Sequence, residues 1–254
     1  MRVQVLTIFP ELFAPFLRTS LVGRAIEKGI LEVGVHDLRE WTEDRHRSVD
    51  DEPYGGGGGM VMTAPPWLRA VRGLSGEASG ENPEVRPWRV LMSPQGARLD
   101  DAKVRELACR GDLILLCGRY EGIDERLLAR RVEEEVSLGD FVLSGGELAA
   151  MALMDAVVRQ LPGALGDESS ALEESFADGL LDCPQYTRPE VWPAGAPQGV
   201  PQVLLSGHHE NIRRWRLKQA LGRTWLRRPD LLGVRTLSAE EKKLLDEFQR
   251  EHRS

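Results

Sequence analysis

Two apolar stretches that end in glycine-bearing polar turns limit what this chain can fold into: Leu113-Ile-Leu-Leu-Cys-Gly-Arg-Tyr-Glu-Gly-Ile-Asp-Glu-Arg126 and Ser137-Leu-Gly-Asp-Phe-Val-Leu-Ser-Gly-Gly-Glu147. Short apolar runs closed by glycine read as parallel strands buried on both faces. Such strands deliver their loops to one edge of a sheet, where α/β proteins hold small ligands. The turns offer backbone N–H and C=O groups, but they contain no Gly-x-Gly-x-x-Gly and no Gly-Lys-Ser/Thr. A cofactor held here is therefore gripped by backbone, in a site unlike an ordinary dinucleotide or P-loop pocket.

The flanking sequence agrees with an α/β sheet. Val3–Phe9 reads as a first strand closed by Pro10, residues 12–28 as a helix ending at Gly29, and Leu31–Val35 as a second strand. Arg89–Ser93 reads as a strand leading into Pro94-Gln-Gly96, and residues 101–110 as a helix with Asp100 as N-cap and Gly111 as its stop. A further helix fits Glu147–Leu161, ended by Pro162-Gly163. Strands alternating with helices imply a parallel sheet. Residues 74–88 read as a solvated loop. The five glycines Gly55–Gly59, after a charged run ending at Tyr54, suit either a flexible linker or a loop folded against a partner surface.

Beyond Gly163 the texture changes, which divides the chain into a domain over 1–163, a linker over 164–178 and a helical module over 179–254. In that module Glu210–Leu221 suits a helix, and Ser238-Ala-Glu-Glu241 is a capping box opening the last one. The net charge of −7 conceals blocks of opposite sign. Residues 160–187 contain no Lys or Arg but six acids: Asp167, Glu168, Glu173, Glu174, Asp178 and Asp182. Residues 208–235 carry eight cations against two acids, and Arg213, Arg216, Arg223 and Arg227 share a face if their helix continues through Gly222. Such a face suits phosphates.

At 254 residues, with 41% hydrophobic content, the chain can bury real cores. No stretch approaches the roughly 20 apolar residues of a membrane span, and the N-terminus lacks a signal peptide's cleavage region. Cys109, Cys117 and Cys183 fit neither a disulfide framework nor a zinc pattern. A cytoplasmic location without membrane contact is the expectation. A hydrolase reading fails for want of a Gly-x-Ser-x-Gly elbow.

Four motifs in order carry a resemblance: residues 118–126 and 139–147 within the stretches above, Leu-Leu-Asp-Cys-Pro-Gln-Tyr-Thr-Arg-Pro over 180–189, and Arg-Arg-Trp-Arg-Leu-Lys-Gln over 213–219. Together they resemble the bacterial tRNA (guanine-37-N1)-methyltransferases of the knotted methyltransferase superfamily, over nearly the whole chain. The resemblance implies an α/β parallel-sheet domain with a C-terminal trefoil knot, followed by a small helical domain. It also implies bent S-adenosyl-L-methionine in the knot, an obligate homodimer with sites at the subunit interface, and tRNA as substrate. Periodicity shows no knot.

By motif match the cofactor lies against Met92, Ser93 and Pro94, then Gly118, Tyr120 and Glu121, then Leu138, Gly139, Asp140, Phe141, Val142, Leu143, Gly145 and Gly146. Guanine N1 bears a proton at neutral pH, so transfer calls for a carboxylate base and a cation near O6. The family's base is an aspartate just before Ser-Phe; here Glu174 stands in that position, with Asp178 or Asp182 as the alternatives. Arg159 matches the family's arginine near the end of the helix before the linker and is the candidate for stabilising O6, and Asp182 matches an aspartate linked to substrate binding and activity. Asp50, Arg213, Arg216, Lys218, Arg223 and Arg227 are the residues expected on tRNA. The family is associated with Mg²⁺ during transfer, but no motif marks a metal site in this sequence. Two rivals keep the fold: methylation of another RNA base, and a non-catalytic RNA-binding protein, which the glutamate at 174 favours.

Overall fold

The computed structural model describes residues 1–76, 86–166, 174–191 and 199–253, which divide into two compact units, Met1–Gly166 and Asp167–Ser254. The first unit opens with β1 (Arg2–Thr7), followed by a 3-10 turn (Pro10–Leu12), α1 (Phe13–Phe16) and α2 (Ser20–Glu27). The one helix expected over 12–28 is thus broken. Thr19 is extended, and its hydroxyl donates to the Pro15 carbonyl at 2.9 Å, a side-chain bond that competes with the helical ladder.

Next come β2 (Glu32–Asp37), β3 (Asp50–Asp51), β4 (Val61–Met62), α3 (Ala64–Leu74), β5 (Trp88–Arg98), α4 (Asp101–Ala108), β6 (Asp112–Cys117), α5 (Glu125–Arg131), β7 (Glu134–Ser137) and α6 (Glu147–Val158). The expected solvated loop over 74–88 falls mainly on residues outside those described; Leu74 ends α3 and Trp88 begins β5.

The main sheet has the order β2-β1-β6-β5-β7, every neighbour parallel. Its middle position explains the unbroken apolar run of β6. Leu113, Leu115 and Cys117 enter one core with helices α2, α4 and α6, while Ile114 and Leu116 enter a second core with Trp67 of α3 and Leu127 of α5. From Leu113 to Cys117 both faces are dry, so no position in that run can be polar.

Two strand expectations need correction. β5 does not stop at Ser93; it pairs with β7 on both sides of residues 93–96, which form an irregularity between Met92 and Ala97. The second apolar run is no strand. β7 ends at Ser137, whose hydroxyl is bonded to the Gly139 N–H and carbonyl, and Val142 is 82% exposed. Alternation with glycine and aspartate there reflects a loop.

The five glycines sit at the tip of the β3–β4 hairpin, whose register pairs Asp50 with Met62. Its return arm is bonded to the loop after β6 by Glu121 N–H to Met60 O at 3.0 Å, Met62 N–H to Gly122 O at 2.9 Å and Asp124 N–H to Met62 O at 2.9 Å. This run belongs to a tethered hairpin within the first unit, which excludes an interdomain linker.

The first unit also extends past the expected end at residue 163, since Ala164 is buried in its core and Leu165 packs there. Residues 167–173 of the expected linker lie outside the described part. Residues 174–178 of the expected linker belong to the second unit: Phe176 N–H donates to Leu180 O at 2.7 Å, and Leu180 is buried with Leu221 and Leu244.

The second unit contains α7 (Gln202–Leu205), α8 (His209–Arg227), α9 (Pro229–Gly233) and α10 (Ala239–Arg253). The expected helix therefore does continue through Gly222. A Cβ at Gly222 would lie 2.4 Å from the Phe248 ring, so glycine is what lets α10 close on α8. The capping box is formed: Ser238 N–H donates to Glu241 Oε2 at 2.7 Å, and Glu241 N–H donates to Ser238 Oγ at 3.2 Å.

One ion pair joins the pieces of the first unit. Glu147, 1% exposed at the start of α6, accepts from the Thr7 hydroxyl at 2.7 Å and pairs with Arg119 at 2.9 Å. Arg119 also donates to the Ser144 carbonyl at 3.1 Å. Replacing Arg119 with Met should lower the unfolding free energy by about 3–5 kcal/mol, because a buried carboxylate loses its counter-ion. A urea titration showing a loss below about 1 kcal/mol, on the surface ion-pair scale, would contradict this reading of the pair.

Candidate active site

The three segments singled out in the sequence meet in one pocket of the first unit. Its volume is ≈ 360 Å³, and its wall includes Met92, Ser93 and Pro94 from the β5 irregularity, Gly118, Tyr120 and Glu121 after β6, and Leu138, Phe141, Val142, Leu143, Gly145 and Gly146 before α6. The segments are bonded to one another: Gly146 N–H donates to Gly118 O at 3.0 Å, and Arg119 forms an antiparallel bridge with Gly145. At Gly146 a Cβ would lie 2.8 Å from the Cα of Cys117, so only glycine allows this crossing. Tyr120 has a positive φ of 59°, which turns the chain sharply at the rim and leaves its ring half exposed.

Two expected residues stay out of the wall. Gly139 and Asp140 form the turn that launches the loop, with Phe141 N–H donating to Gly139 O at 2.9 Å and the Asp140 side chain exposed. Conversely the wall includes Gln95, Arg119, Ile123 and Ser144, which the sequence reading passed over. The one sequence sign of the Arg119–Glu147 pair is an acid opening a helix, Glu147–Val158, whose next seven residues are all apolar.

The chemistry of Cys117 follows from its surroundings. Burial pushes its thiol well above the ordinary range, and the charge of Glu147 adds to that against the opposing Arg119. It is a protonated core side chain, not a nucleophile. Among the described residues no group of three or more His, Cys, Asp or Glu is arranged to hold a metal ion, and no helix is long and apolar enough to cross a membrane.

Arg159 is the C-cap of α6, half-buried and outside the pocket wall. At helical rise it stands roughly 20 Å from Gly146 along the same chain. Asp50 is half-buried opposite Met62 in the hairpin.

In the second unit, Glu174, Asp178 and Asp182 belong to one looped segment. Asp182 Oδ1 accepts from Cys183 N–H at 2.6 Å and Oδ2 from Gln185 Nε2 at 2.9 Å, while its own N–H donates to Ser175 Oγ at 2.9 Å. Asp178 accepts from Leu180 N–H at 3.1 Å and faces Arg235 at 3.8 Å. Both side chains thus organise their loop. Glu174 is half-buried, its carbonyl accepting from Ala177 N–H at 3.2 Å.

The cations of α8 fall into two groups. Arg213 is bonded to Glu210 and Glu240, which raises its pKa further, and Lys218 is paired with Glu251 at 2.8 Å. Arg214 similarly pairs with Glu247 of α10. Among the described residues, Arg216, Arg223 and Arg227 have no carboxylate partner. The exposed Tyr186 ring meets Trp215 of α8 at 6.2 Å, tilted by 56°.

Comparison with known proteins bears on the same residues. A family model described as tRNA (Guanine-1)-methyltransferase TrmD matches residues 1–234. The protein named tRNA (guanine-N(1)-)-methyltransferase from Aromatoleum aromaticum is 58% identical over 250 residues, covering 98% of this chain and 94% of its own length. Proteins of that name from Halorhodospira halophila and Sodalis glossinidius are 56% and 55% identical, each covering 100% of this chain and, respectively, 93% and 98% of their own. Likeness of this extent leaves one assignment: the chain belongs to the tRNA (guanine-1)-methyltransferase family.

Proposed function

We propose that this enzyme transfers a methyl group from S-adenosyl-L-methionine to N1 of guanine 37 of tRNA, beside the anticodon. The observation that carries the reading is the meeting of three loops, from the far ends of neighbouring parallel strands, in one pocket of ≈ 360 Å³. The pocket's size fits a nucleoside-containing cofactor, and Gly118, Gly145 and Gly146 in its wall let a ligand approach the backbone closely. When bound, S-adenosyl-L-methionine supplies an electrophilic methyl on a sulfonium with a good leaving group. The return of residues 138–146 from edge strand β7 to Gly118 and Arg119 beyond β6 supports a trefoil knot in this region.

The remaining work belongs to side chains. Glu174 removes the N1 proton as the methyl arrives, and Arg159 stabilises the negative charge that grows on O6. The loop bonds of Asp178 and Asp182 support Glu174 as the base, with Asp182 orienting the segment. A homodimer is part of the reading. The exposed apolar side chains Phe141, Val142 and Leu148 beside the pocket suit a partner surface, and the separation of Arg159 from Gly146 within one chain fits a site completed by a second copy. The guanidiniums of Arg216, Arg223 and Arg227, without a carboxylate partner among the described residues, suit tRNA phosphates better than Arg213 and Lys218, which already hold carboxylates.

Label from methyl-tritiated S-adenosyl-L-methionine should enter an unmodified tRNA transcript as 1-methylguanosine at position 37, and a transcript with adenosine there should take up none. Label in another nucleoside, or none in any, would overturn the proposal. Glu174→Gln should reduce single-turnover methylation at least 100-fold while cofactor affinity stays within twofold; near-normal turnover would remove Glu174 as the base. Alanine at Arg216, Arg223 or Arg227 should each flatten the salt dependence of tRNA binding by roughly 0.7–0.9 in log–log slope. An equal flattening for Arg213→Ala would contradict the division between paired and unpaired cations.

A further inference from the structure

The second unit contains a pocket that neither cofactor binding nor proton transfer uses. It is open, ≈ 880 Å³ in volume, and bounded by the segment from Pro184 to Glu190 on one side and by α7 and α8 on the other. Leu204, Leu205 and Ile212 give it an apolar floor. Tyr186, 47% exposed, stands at its wall, steadied by Trp215. Arg188 and Arg216 reach it with no carboxylate partner among the described residues, against the single acid Glu190. An aromatic face beside an apolar floor and two unpaired guanidiniums selects a flat ligand that carries negative charge.

Chain connectivity says which one. Asp182 lies two residues before the wall residue Pro184 and is bonded to Gln185, also in the wall, at 2.9 Å. Arg216 is near enough to Cys183 to lower its thiol pKa against burial and the Asp182 charge, which raise it. The pocket is thus continuous with the segment that bears Glu174 and Asp182. We infer that it is a nucleotide subsite: an unpaired base next to the target guanine stacks on Tyr186, and Arg188 and Arg216 hold its phosphates. The inference rests on the tRNA reading above and adds a second point of grip on the strand, away from the methylated base. Stacking of this kind tolerates any base, because each has a π-face.

The test uses full-length protein and unmodified tRNA carrying a single 5-iodouridine immediately before or immediately after the target guanine. Irradiation should crosslink one of these positions to Tyr186 in the wild-type protein, as mapped by mass spectrometry. Tyr186→Ala should raise the KM for tRNA roughly 5–100-fold, the range of one lost base–aromatic stack, with cofactor affinity unchanged, and Tyr186→Phe should restore it. Crosslinks at neither position to any residue of the pocket overturn the inference without recourse to a variant. So does a Tyr186→Ala KM within twofold of wild type. Failure of the wild-type protein to methylate the parent tRNA would instead strike the underlying reading, so the two failures are distinguishable.

Discussion

The buried ion pair between Arg119 and Glu147 is the contact on which the first unit's site depends. Glu147 is 1% exposed, and its two oxygens take Arg119 and the Thr7 hydroxyl, so the carboxylate is paired as a buried charge must be. Three pieces of chain distant in sequence become one object: the end of β1, the turn after β6 and the start of α6. Arg119 goes on to donate to the Ser144 carbonyl and lies 4.5 Å from the Phe9 ring centroid. The loops can then be glycine-rich and still hold their shape.

The second unit solves a different problem, that of carrying dense positive charge on a small core. Leu180, Leu221 and Leu244 form that core, and it is small. Helix α10 offers Glu240, Glu247 and Glu251 to Arg213, Arg214 and Lys218, so part of the basic block becomes structural. Exposed pairs of this kind contribute little individually, because solvent screens them. Their larger consequence is to sort the cations: those facing α10 are neutralised, Arg228 is held by Asp230, and Arg216, Arg223 and Arg227 have no carboxylate partner among the described residues.

The parallel α/β plan was legible in the sequence because an apolar run such as Leu113–Cys117 can be dry on both faces in few other settings. The capping box at Ser238 was legible too, since its two bonds are local. What escaped depends on non-local packing. Residues 93–96 look like the end of a strand, yet β7 pairs on either side of them and carries β5 on to Arg98. Phe141-Val142-Leu143 looks like a strand, yet its neighbours break it and Val142 faces outward. The glycine run suits a flexible linker as well as a folded loop until the bonds from Met60 and Met62 to the 121–124 turn fix it as a hairpin. Half of the pocket wall was readable from motifs, but the Arg119–Glu147 pair, 28 residues apart in sequence, was not. Nor could the sequence say that Arg213 is spoken for, because that requires knowing where Glu240 comes to rest.

Hydrogen exchange with and without S-adenosyl-L-methionine tests the central claim most directly, because it reads the backbone amides that the account gives to the cofactor. Ligand should slow exchange together in three separated peptides, covering residues 92–96, 118–122 and 138–146, with little change in α8 or α10. Protection in only one of these segments, or in none while the ligand is demonstrably bound, would contradict a site built from three loops locked by one buried ion pair.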